Sequence, residues 1–346
     1  MMQISPETQL FIREHSSDDV RVLALQAKKY PDIDMPTAIT QIAGRKVAAE
    51  KIPSWWEIEK IWYPKHLSLE QCSSEITARY KARLLQGDSL TDLTGGFGID
   101  CSFLATGFKS ATYVERQEEL CEIAAHNFPV LNLNHINIKN EDGVTYLQAM
   151  SPVDCLFLDP ARRNEHGGKT VAISDCEPNV AELEELLLQK ANRVMIKLSP
   201  MLDLSLALKE LKQTQEVHIL SVNNECKELL ILLGQTSPTE ISIHCVNLST
   251  KGTQEEQHFV FTREQEQCSE CTYTDSLETY LYEPNASLLK AGAFRSIAAA
   301  YPVRKLHPNS HLYTSDTFIE NFSGRIFRIV NQCSFNKKEV KENLAD

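Results

Sequence analysis

Gly95, Gly96 and Gly98 lie in a five-residue turn, TGGFG at residues 94–98, that follows a short apolar run ending in TDL and precedes a helical pattern. Glycines let a backbone approach a ligand closely, and the N-terminus of the following helix offers unpaired N–H groups. This combination is typical of a nucleotide site. The register is GGxG, and it differs from the GxGxxG of dinucleotide folds and the GxxxxGK[ST] of P-loops. The turn therefore argues against NAD and ATP as the ligand.

Three acidic residues follow the next three predicted strands. Glu115 lies 17 residues after Gly98, Asp142 follows the third strand, and Asp159 with Pro160 follows the fourth. In a doubly wound sheet, ligands bind at the carboxyl ends of the strands. There Glu115 is suited to accept both ribose hydroxyls, and Asp142 to accept an adenine amino group. Each also has an ordinary structural alternative: a solvated acid at a helix start, a helix N-cap, and a turn residue before proline, respectively.

Alternating strand and helix patterns must position these residues. The predicted strands are 90–93, 111–115, 134–138, 153–158, 193–198, 216–222 and 228–234, and the predicted helices are 98–107, 117–128, 143–149, 178–189 and 203–212. Strands separated by helices predict βαβ units and a parallel sheet. Only NNECK separates the last two strands, which is too short for a crossover helix, so these two should pair antiparallel. The result is a Rossmann-like α/β sheet of seven strands.

The regions on either side of the sheet have different patterns. Residues 1–87 read as a helical domain, with one helix over residues 35–52 that Pro53 ends, and a second that starts with a capping box of Ser68 and Gln71. Three tryptophans at 55, 56 and 62 favour core packing between helices. Residues 236–346 read as a small α+β region, in which EISIHCVNL, QHFVFTRE and GRIFRIVNQCS are strands. No closing strand follows the charged terminal segment, which leaves a C-terminal truncation open.

The composition excludes several classes of protein. The chain has 346 residues, 42% of them hydrophobic, which suffices for two or three domains. No apolar run approaches the roughly 20 residues that a membrane span needs, and there is no signal-peptide pattern. The ten cysteines form no disulfide framework and favour a reduced, cytoplasmic protein. Cys268 and Cys271 form a CxxC without a second pair at zinc spacing, so we expect no metal.

The net charge of −12 argues against indiscriminate binding of nucleic acids. It still allows a local basic face. Arg162, Arg163, His166 and Lys169 make the predicted loop 162–177 locally basic. This loop is either a phosphate-binding substrate loop or a solvated one.

The motifs DLTGGFGID, VERQEE, NEDG and LDPARR, in that order, resemble the motif set of class I S-adenosylmethionine-dependent methyltransferases. This resemblance covers residues 88–235. With EQCSSEITARYKA before it and IKLSPM after it, the chain is similar to bacterial methyltransferases that have a THUMP-like C-terminal domain. YLYEPNASLLKAG, HPNSHLYTSD and FSGRIFRI then correspond to a ferredoxin-like and a THUMP-like unit. The implied domains are 1–87 (helical), 88–235 (methyltransferase) and 236–346 (substrate binding).

The resemblance implies a role for each matching residue. Asp92 and the backbone of the turn (Thr94, Gly95, Gly96, Phe97 and Gly98) would hold the methionine portion of S-adenosylmethionine. Glu115 would hold the ribose, Arg116 would flank the adenine, and Asp142 with Gly143 would bind the adenine amine. Many such enzymes have glycine at the position of Thr94. Ser74 and Thr77, in the helix before the sheet, either line the cofactor pocket or pack between helices.

The segment DPAR at residues 159–162 implies the chemistry. Methyltransferases that act on an exocyclic base nitrogen commonly have (D/N)PP(Y/F) here, in which the acid and a backbone carbonyl accept the amine hydrogens. Asp159 and Pro160 keep that part, whereas Arg162 replaces the stacking aromatic. Arg162 can still stack or clamp a phosphate. The strand-five loop IKLSPM has no cysteine, which excludes the covalent mechanism of 5-methyluridine enzymes, and its Lys197 is either a substrate contact or a strand-end lysine.

These observations favour a methyltransferase that acts on a nitrogen of RNA, tRNA or rRNA through a local basic face. The candidate substrate-binding residues are Arg163, Lys169 and Lys197. The acidic charge and Arg162 in place of an aromatic favour a small molecule or a protein as the substrate instead. A third alternative is a non-catalytic binding module that retains the cofactor fold. The oligomeric state stays open.

Overall fold

The chain divides into two compact units. The computed structural model describes residues 4–65, 69–70, 72–162, 172–236, 238–250, 256–333, 336, 339 and 341. Unit 1 contains residues 1–213 and 232–237, and unit 2 contains residues 214–231 and 238–346. No helix among the described residues is both long enough and apolar enough to cross a lipid bilayer.

Unit 1 begins with helices, as predicted for residues 1–87. They are α1 (Pro6–Glu14), α2 (Val20–Leu25), a 3-10 turn (Ala27–Lys29), α3 (Met35–Lys51), α4 (Pro53–Trp56) and α5 (Glu75–Ala82). The helix predicted over residues 35–52 is confirmed: Asp34 caps Thr37 N at 3.3 Å, and the helix ends before Pro53. In the predicted second helix, Leu69 and Glu70 are helical, Ser74 is extended, and α5 starts at Glu75. Ser68 and Gln71, the predicted capping box, lie outside the described residues.

The three tryptophans do not share one environment. Trp55 is buried, with 2% exposure, in a cluster with Ile52, Tyr63 and Phe97. The indole of Trp62 stacks on the His126 ring at 3.7 Å. Trp56 is 42% exposed. The core-packing interpretation is therefore confirmed for Trp55 and wrong for Trp56.

Unit 1 continues as an alternating α/β sheet. Its strands are β1 (Ser89–Asp92), β2 (Ser110–Glu115), β3 (Ile136–Asn140), β4 (Val153–Leu158), the short β5 (Ala161–Arg162) and β6 (Cys176–Glu177), and β7 (Ala191–Leu198). Its helices are α6 (Ile99–Ala105), α7 (Glu118–Val130), α8 (Gly143–Ala149), α9 (Val180–Lys190) and α10 (Leu204–Glu210). The main strands pair in parallel in the order β3-β2-β1-β4-β7.

This strand order creates a topological switch point. The chain moves outward on one side of β1 through β2 and β3, then returns to the other side of β1 with β4. In open α/β sheets, ligands bind at such a point, beyond the carboxyl ends of the strands. Asp92 ends β1, and Asp159 follows β4. The topology therefore places both acids at the expected crevice.

The last two predicted strands form a hairpin. They are β8 (Thr214–Val222) and β9 (Glu225–Gly234), which are neighbours in the sheet. The predicted NNECK linker is wrong in length, because only Asn223 and Asn224 separate the strands. Both have positive φ angles, of 51° and 65°, and two consecutive positive φ angles define the tight type I′ turn of a two-residue hairpin. Residues 232–234 of β9 belong to unit 1, next to β7.

Unit 2 contains two groups of strands. β10 (Ser242–Leu248) pairs in parallel with β8 and antiparallel with β11 (Glu256–Thr262). A separate four-stranded sheet has the order β13-β14-β12-β15, from β12 (Tyr280–Pro284), β13 (Arg304–Lys305), β14 (Tyr313–Ser315) and β15 (Gly324–Arg328). The helices are α11 (Arg263–Cys268), α12 (Ala286–Ala291) and α13 (Phe294–Ala300). The predicted fold class, a Rossmann-like α/β sheet with an N-terminal helical region and a C-terminal α+β region, is confirmed. The predicted number of seven strands is too small, because β10 pairs with β8, and β11 with β10, in the same sheet.

Candidate functional site at the switch point

The glycine turn between β1 and α6 has a fixed backbone. Gly96 and Gly98 have φ angles of 55° and 87°, which side-chain-bearing residues rarely adopt. The N–H of Gly95 donates to Val114 O at 2.8 Å, and that of Gly98 donates to Gly95 O at 2.9 Å. A Cβ on Gly95 would lie 2.3 Å from the Tyr113 ring. The turn therefore needs glycine both for its conformation and for its packing on β2.

The side chain of Phe97 points away from the strand ends. It is buried, and its ring lies 5.2 Å from that of Trp55 in an edge-to-face arrangement. This contact joins the turn to the N-terminal helices. Cofactor binding through the backbone of Phe97 stays a prediction.

Asp92 and Glu115 both bind backbone N–H groups next to the turn. Asp92 Oδ1 accepts from Thr94 N at 3.0 Å. Glu115 Oε2 accepts from Gly96 N at 2.9 Å, and its Oε1 accepts from Gln117 N at 2.8 Å. Both side chains are buried. The structure thus brings the first two predicted acids together on one turn.

The two carboxylate oxygens of Asp92 have different surroundings. Its Oδ2 is buried and has no hydrogen-bond partner within the part of the chain that the structure describes. Desolvation raises the pKa of Asp92 well above its ordinary value, and the nearby charges of Asp100, Asp159 and Glu115 raise it further, against the hydrogen bond from Thr94. A buried acceptor without a partner costs about 1–3 kcal/mol. A ligand that donates to Oδ2 would remove this cost.

Asp142 caps helix α8. Its Oδ1 accepts from the N–H groups of Val144 and Thr145, both at 3.0 Å, and its side chain is exposed. The structural alternative of an N-cap is therefore realised, and adenine binding by Asp142 stays a prediction. The neighbouring Gly143 is packed tightly, because a Cβ there would lie 2.2 Å from Leu93 O.

Arg116, which was expected to flank the adenine, is exposed and lies 3.7 Å from Glu177 in an ion pair. Glu177 belongs to the short ribbon in which β5 and β6 pair antiparallel. This ribbon joins the two ends of the predicted loop 162–177. Arg163, His166 and Lys169 lie outside the described residues, as does the side chain of Arg162, so their predicted substrate contacts stay predictions.

Thr94 connects the turn to the end of β4. Its hydroxyl accepts a hydrogen bond from the N–H of Asp159 at 2.6 Å, while its own N–H donates to Asp92. A glycine at position 94 would have no such hydroxyl. The departure from the glycine of many related turns thus has a structural role in this chain.

Asp159, which is partly exposed, belongs to a network of charges. Lys197 Nζ, on β7, pairs with Asp159 Oδ2 and lies 3.5 Å from Asp100 Oδ2. Lys81 Nζ lies 3.0 Å from Asp100 Oδ1 and donates to Ser73 Oγ at 2.9 Å. Ser73 in turn donates to Asp100 Oδ2 at 2.7 Å. Lys81 is fully buried. The network links α5, α6, β4 and β7.

The two aspartates of this network have opposite pKa shifts. Burial raises the pKa of Asp100, but Lys81, Lys197 and the Ser73 hydroxyl outweigh burial, and the net pKa is lowered. Desolvation also raises the pKa of Asp159, and here the opposing Lys197 does not outweigh it. Asp100 is thus the anion that holds the two lysines. Asp159 is the carboxylate of the pair that more readily accepts a proton.

Lys81, Ser73 and Asp100 were not among the predicted site residues, and Lys197 was predicted only as a substrate contact or a strand-end lysine. The signal that could have found Asp100 is its place in DLTGGFGID, where an acid opens the helix after the turn. Lys81 lies between Arg79 and Arg83 in a helical segment, and lysine is normally solvated. Ser74 and Thr77, which were considered as pocket residues, contact each other through their hydroxyls at 3.3 Å.

Comparisons with known proteins agree with this architecture. A family model of a ferredoxin-like domain matches residues 280–322, which begin with β12 and include β13 and β14. A crystal structure of a "putative methyltransferase" from Porphyromonas gingivalis W83 matches with a TM-score of 0.86 and 33% sequence identity, over 99% of this chain and 86% of the other. No curated protein matches the chain.

Two further solved structures match only part of the chain. An rRNA methylase from Streptococcus thermophilus matches at 14% identity and a TM-score of 0.35, over 47% of this chain and 98% of the other. A "putative methyltransferase" from Streptococcus mutans in complex with SAH matches at 13% identity and a TM-score of 0.33, over 46% and 96% of the two chains.

Proposed function

This chain belongs to the methyltransferase family of the Porphyromonas gingivalis protein, and from that premise we propose that it transfers a methyl group from S-adenosylmethionine to a nitrogen of RNA. The observation that carries the cofactor part is the buried, unpartnered Oδ2 of Asp92 beside the glycine turn. The RNA part rests on the DPAR motif and on the resemblance of the C-terminal region.

The charge balance of the site supports a cationic cofactor. Asp92 lies near the carboxylates of Asp100, Glu115 and Asp159. The ammonium groups of Lys81 and Lys197 pair with Asp100 and Asp159, so the six groups have a formal excess of two negative charges when all are ionised. S-Adenosylmethionine carries a sulfonium and an α-ammonium group, whereas NAD and ATP bring phosphates, which such a site would repel. An α-ammonium group is also a donor that fits Asp92 Oδ2.

The turn supplies the remaining cofactor contacts in this proposal. A Cβ on Gly96 would meet nothing closer than Thr94 O at 3.7 Å, so its outer side is open to a ligand. Glu115 keeps acceptor capacity beside the N–H groups of Gly96 and Gln117, since a carboxylate has about four lone-pair sites. Glu115 would therefore accept the ribose hydroxyls, and exposed Asp142 and Arg116 would flank the adenine.

When bound, S-adenosylmethionine supplies an electrophilic methyl group on its sulfonium. The chain's contribution is to position the nitrogen and to take its proton. Asp159 follows β4 with a raised pKa, so its carboxylate is suited to hold the proton that a methylated nitrogen releases. Lys197 neutralises the Asp159 carboxylate before that transfer, and Thr94 fixes its backbone. The carbonyl of Pro160 would accept the second amine hydrogen.

Cofactor binding can be tested by titration calorimetry with S-adenosylmethionine. We expect Glu115→Gln to weaken binding by about tenfold, because it removes a charge and one acceptor from the site. Glu119→Gln, at an exposed ion pair with Lys65, is the matched control and should bind as the wild type does. Unchanged binding by Glu115→Gln would contradict the cofactor assignment.

Catalysis can be separated from binding with Asp159→Asn. We expect this variant to bind S-adenosylmethionine normally and to lose methyl transfer by about 10²–10⁴-fold, the usual contribution of a positioned acid or base. A chain that binds the cofactor but never transfers its methyl group to any substrate would support the non-catalytic binding module instead.

The substrate can be identified by nucleoside mass spectrometry. RNA from cells lacking the gene should miss one methylated nucleoside, and the wild-type gene, but not Asp159→Asn, should restore it. An unchanged nucleoside profile, together with radiolabelled methyl groups in the protein or small-molecule fraction, would overturn the RNA assignment and leave the methyltransferase assignment intact.

A further inference from the structure

Unit 2 carries a cluster of histidines on one face of its sheet. His218 on β8 lies directly opposite His244 on β10, and Glu216 lies opposite Ser242 in the same register. His258, on the neighbouring β11, is opposite Val246, two residues from His244. Because residues two apart on a strand share a face, all three imidazoles and the Glu216 carboxylate project from the same side.

The ring nitrogens and the carboxylate lie within reach of one another. His218 Nε2 lies 3.2 Å from Glu216 Oε2, and His244 Nδ1 lies 3.1 Å from His258 Nε2. The rings of His218 and His244 stack with their centroids 4.3 Å apart. One ligand atom from each of Glu216, His218 and His244 falls within 4.8 Å of the other two. This is the only such group found in the described part of the chain.

We propose that Glu216, His218 and His244 bind one divalent transition-metal ion, with Zn²⁺ as the best fit. Zn²⁺ is commonly bound by imidazole nitrogen and carboxylate oxygen, and two histidines with one carboxylate and one open position form a known type of zinc site. His258 is exposed and close enough to His244 to supply the fourth ligand. This inference does not depend on the proposed methyl transfer.

The observed separations match the geometry of such a site. Ligands about 2.0 Å from a tetrahedral Zn²⁺ are about 3.3 Å from one another. The measured separations of 3.1 and 3.2 Å therefore need little adjustment around an ion. The ligand atoms of Glu216, His218 and His244 all lie within 4.8 Å of one another. Small rotations of these side chains would bring the atoms to coordination distance, while β8 and β10 hold the backbones in register.

His244 lies between the other two histidines of the cluster. Its Nδ1 lies 3.1 Å from His258 Nε2, and its ring stacks on that of His218. Bound metal would connect β8 with β10, and with β11 when His258 joins.

The test uses full-length protein without a histidine tag, stripped with a chelator and titrated with ZnCl₂ in a calorimeter. We expect one equivalent to bind, with a rise in the thermal unfolding midpoint because the ion binds the folded state. Binding of Co²⁺ to the same protein should give the intense visible absorption of a tetrahedral complex. Glu216→Gln and His244→Gln should each weaken the affinity at least about tenfold.

His307→Gln is the matched control, because His307 is an exposed histidine of the same unit outside the cluster. It should bind Zn²⁺ as the wild type does, and His258→Gln will show whether the fourth ligand is this residue or water. Cys268→Ser is a second control, because Cys268 is an exposed thiol outside the cluster and thiolates bind Zn²⁺. This variant should also bind Zn²⁺ as the wild type does. No binding, or binding that survives both cluster variants and disappears with Cys268→Ser, would overturn the proposal and leave the cluster as a hydrogen-bonded set of imidazoles.

Discussion

The hydroxyl of Thr94 accepts a hydrogen bond from the backbone N–H of Asp159 at 2.6 Å. This bond connects the glycine turn after β1 to Asp159, the proposed proton acceptor after β4, and fixes the distance between them. The same threonine also donates its N–H to Asp92. One residue therefore sets the spacing between the proposed cofactor-binding acid and the proposed proton acceptor.

Replacing Thr94 by valine keeps the shape of the side chain but removes the acceptor. The partly buried N–H of Asp159 would then be unsatisfied, and we expect a loss of about 1–3 kcal/mol in the free energy of unfolding. Thr94→Ser keeps the hydroxyl and should lose less than about 1 kcal/mol. Urea denaturation of both variants measures the difference. A Thr94→Val variant as stable as the wild type would mean that this hydrogen bond does not stabilise the turn.

The strands and the turn could be predicted because their signals are local. Apolar runs bounded by glycine and acid marked β1 and β2, and the short gap after residue 222 required a hairpin. The exact hairpin turn was missed, since Glu225 and Lys227 are charged residues typical of a loop, whereas the structure places both in β9. Likewise, β10 pairs in parallel with β8, which links segments that no local pattern connects.

The buried charge network could not be predicted from the sequence. Lys81 is separated from Asp100 by 19 positions, and Asp100 from Lys197 by 97. Lysine is almost never fully buried unless it is paired, so its burial depends on partners that only the tertiary fold supplies. The histidines of β8 and β10 were missed for the same reason, because their proximity follows from the pairing of the strands.

Removing Lys81 should be costly because its partner would stay buried. Lys81 is fully buried against Asp100 at 3.0 Å, and breaking a buried pair by removing one partner costs about 3–5 kcal/mol. We expect Lys81→Met to lose free energy of unfolding near the lower end of this range, since Lys197 and Ser73 remain near Asp100. Guanidinium denaturation measures the loss. The control Lys109→Met breaks an exposed ion pair with Asp88 and should change stability by less than about 1 kcal/mol.

The loss in Lys81→Met should also depend on pH. The pKa of Asp100 is lowered in the folded state, so its contribution to stability is fully present above the ordinary aspartate pKa. That contribution is lost as the pH falls through the lowered value. The difference between wild type and variant should therefore shrink in acid. A difference that stays constant from neutral pH into acid would show that packing, and not charge, is what Lys81 supplies.

Ionised Asp92 should lower the stability of the fold, whereas ionised Asp100 raises it. Its pKa is raised in the folded state, so the folded protein binds the proton more tightly than the unfolded one, and ionised Asp92 destabilises the fold above the raised pKa. Asp92→Asn keeps the acceptor for Thr94 N and removes the buried charge. We expect it to raise the unfolding midpoint at neutral pH while weakening binding of S-adenosylmethionine, a common trade-off at functional sites.

The gain from Asp92→Asn should decrease as the pH falls through the raised pKa, because the wild-type carboxyl then becomes protonated as well. Thermal unfolding at several pH values, with calorimetry at neutral pH, checks both parts. A variant that is less stable than wild type at neutral pH would show that the carboxylate is satisfied in the folded protein, which contradicts the role assigned to its Oδ2.

Gly143 should tolerate no side chain. A Cβ there would lie 2.2 Å from Leu93 O, and this atom belongs to the backbone at the end of β1, which cannot move without displacing the turn. We expect Gly143→Ala to cost about 1–3 kcal/mol or more, as overpacking does, and to weaken cofactor binding, since the shift would reach Asp92.

Gly107→Ala is the matched control, because the nearest atom to its Cβ would be 3.7 Å away. The lower backbone entropy of the unfolded chain should make this variant neutral or more stable by up to about 1 kcal/mol. If Gly143→Ala binds S-adenosylmethionine as tightly as Gly107→Ala does, the end of β1 and the start of α8 do not jointly shape the cofactor site.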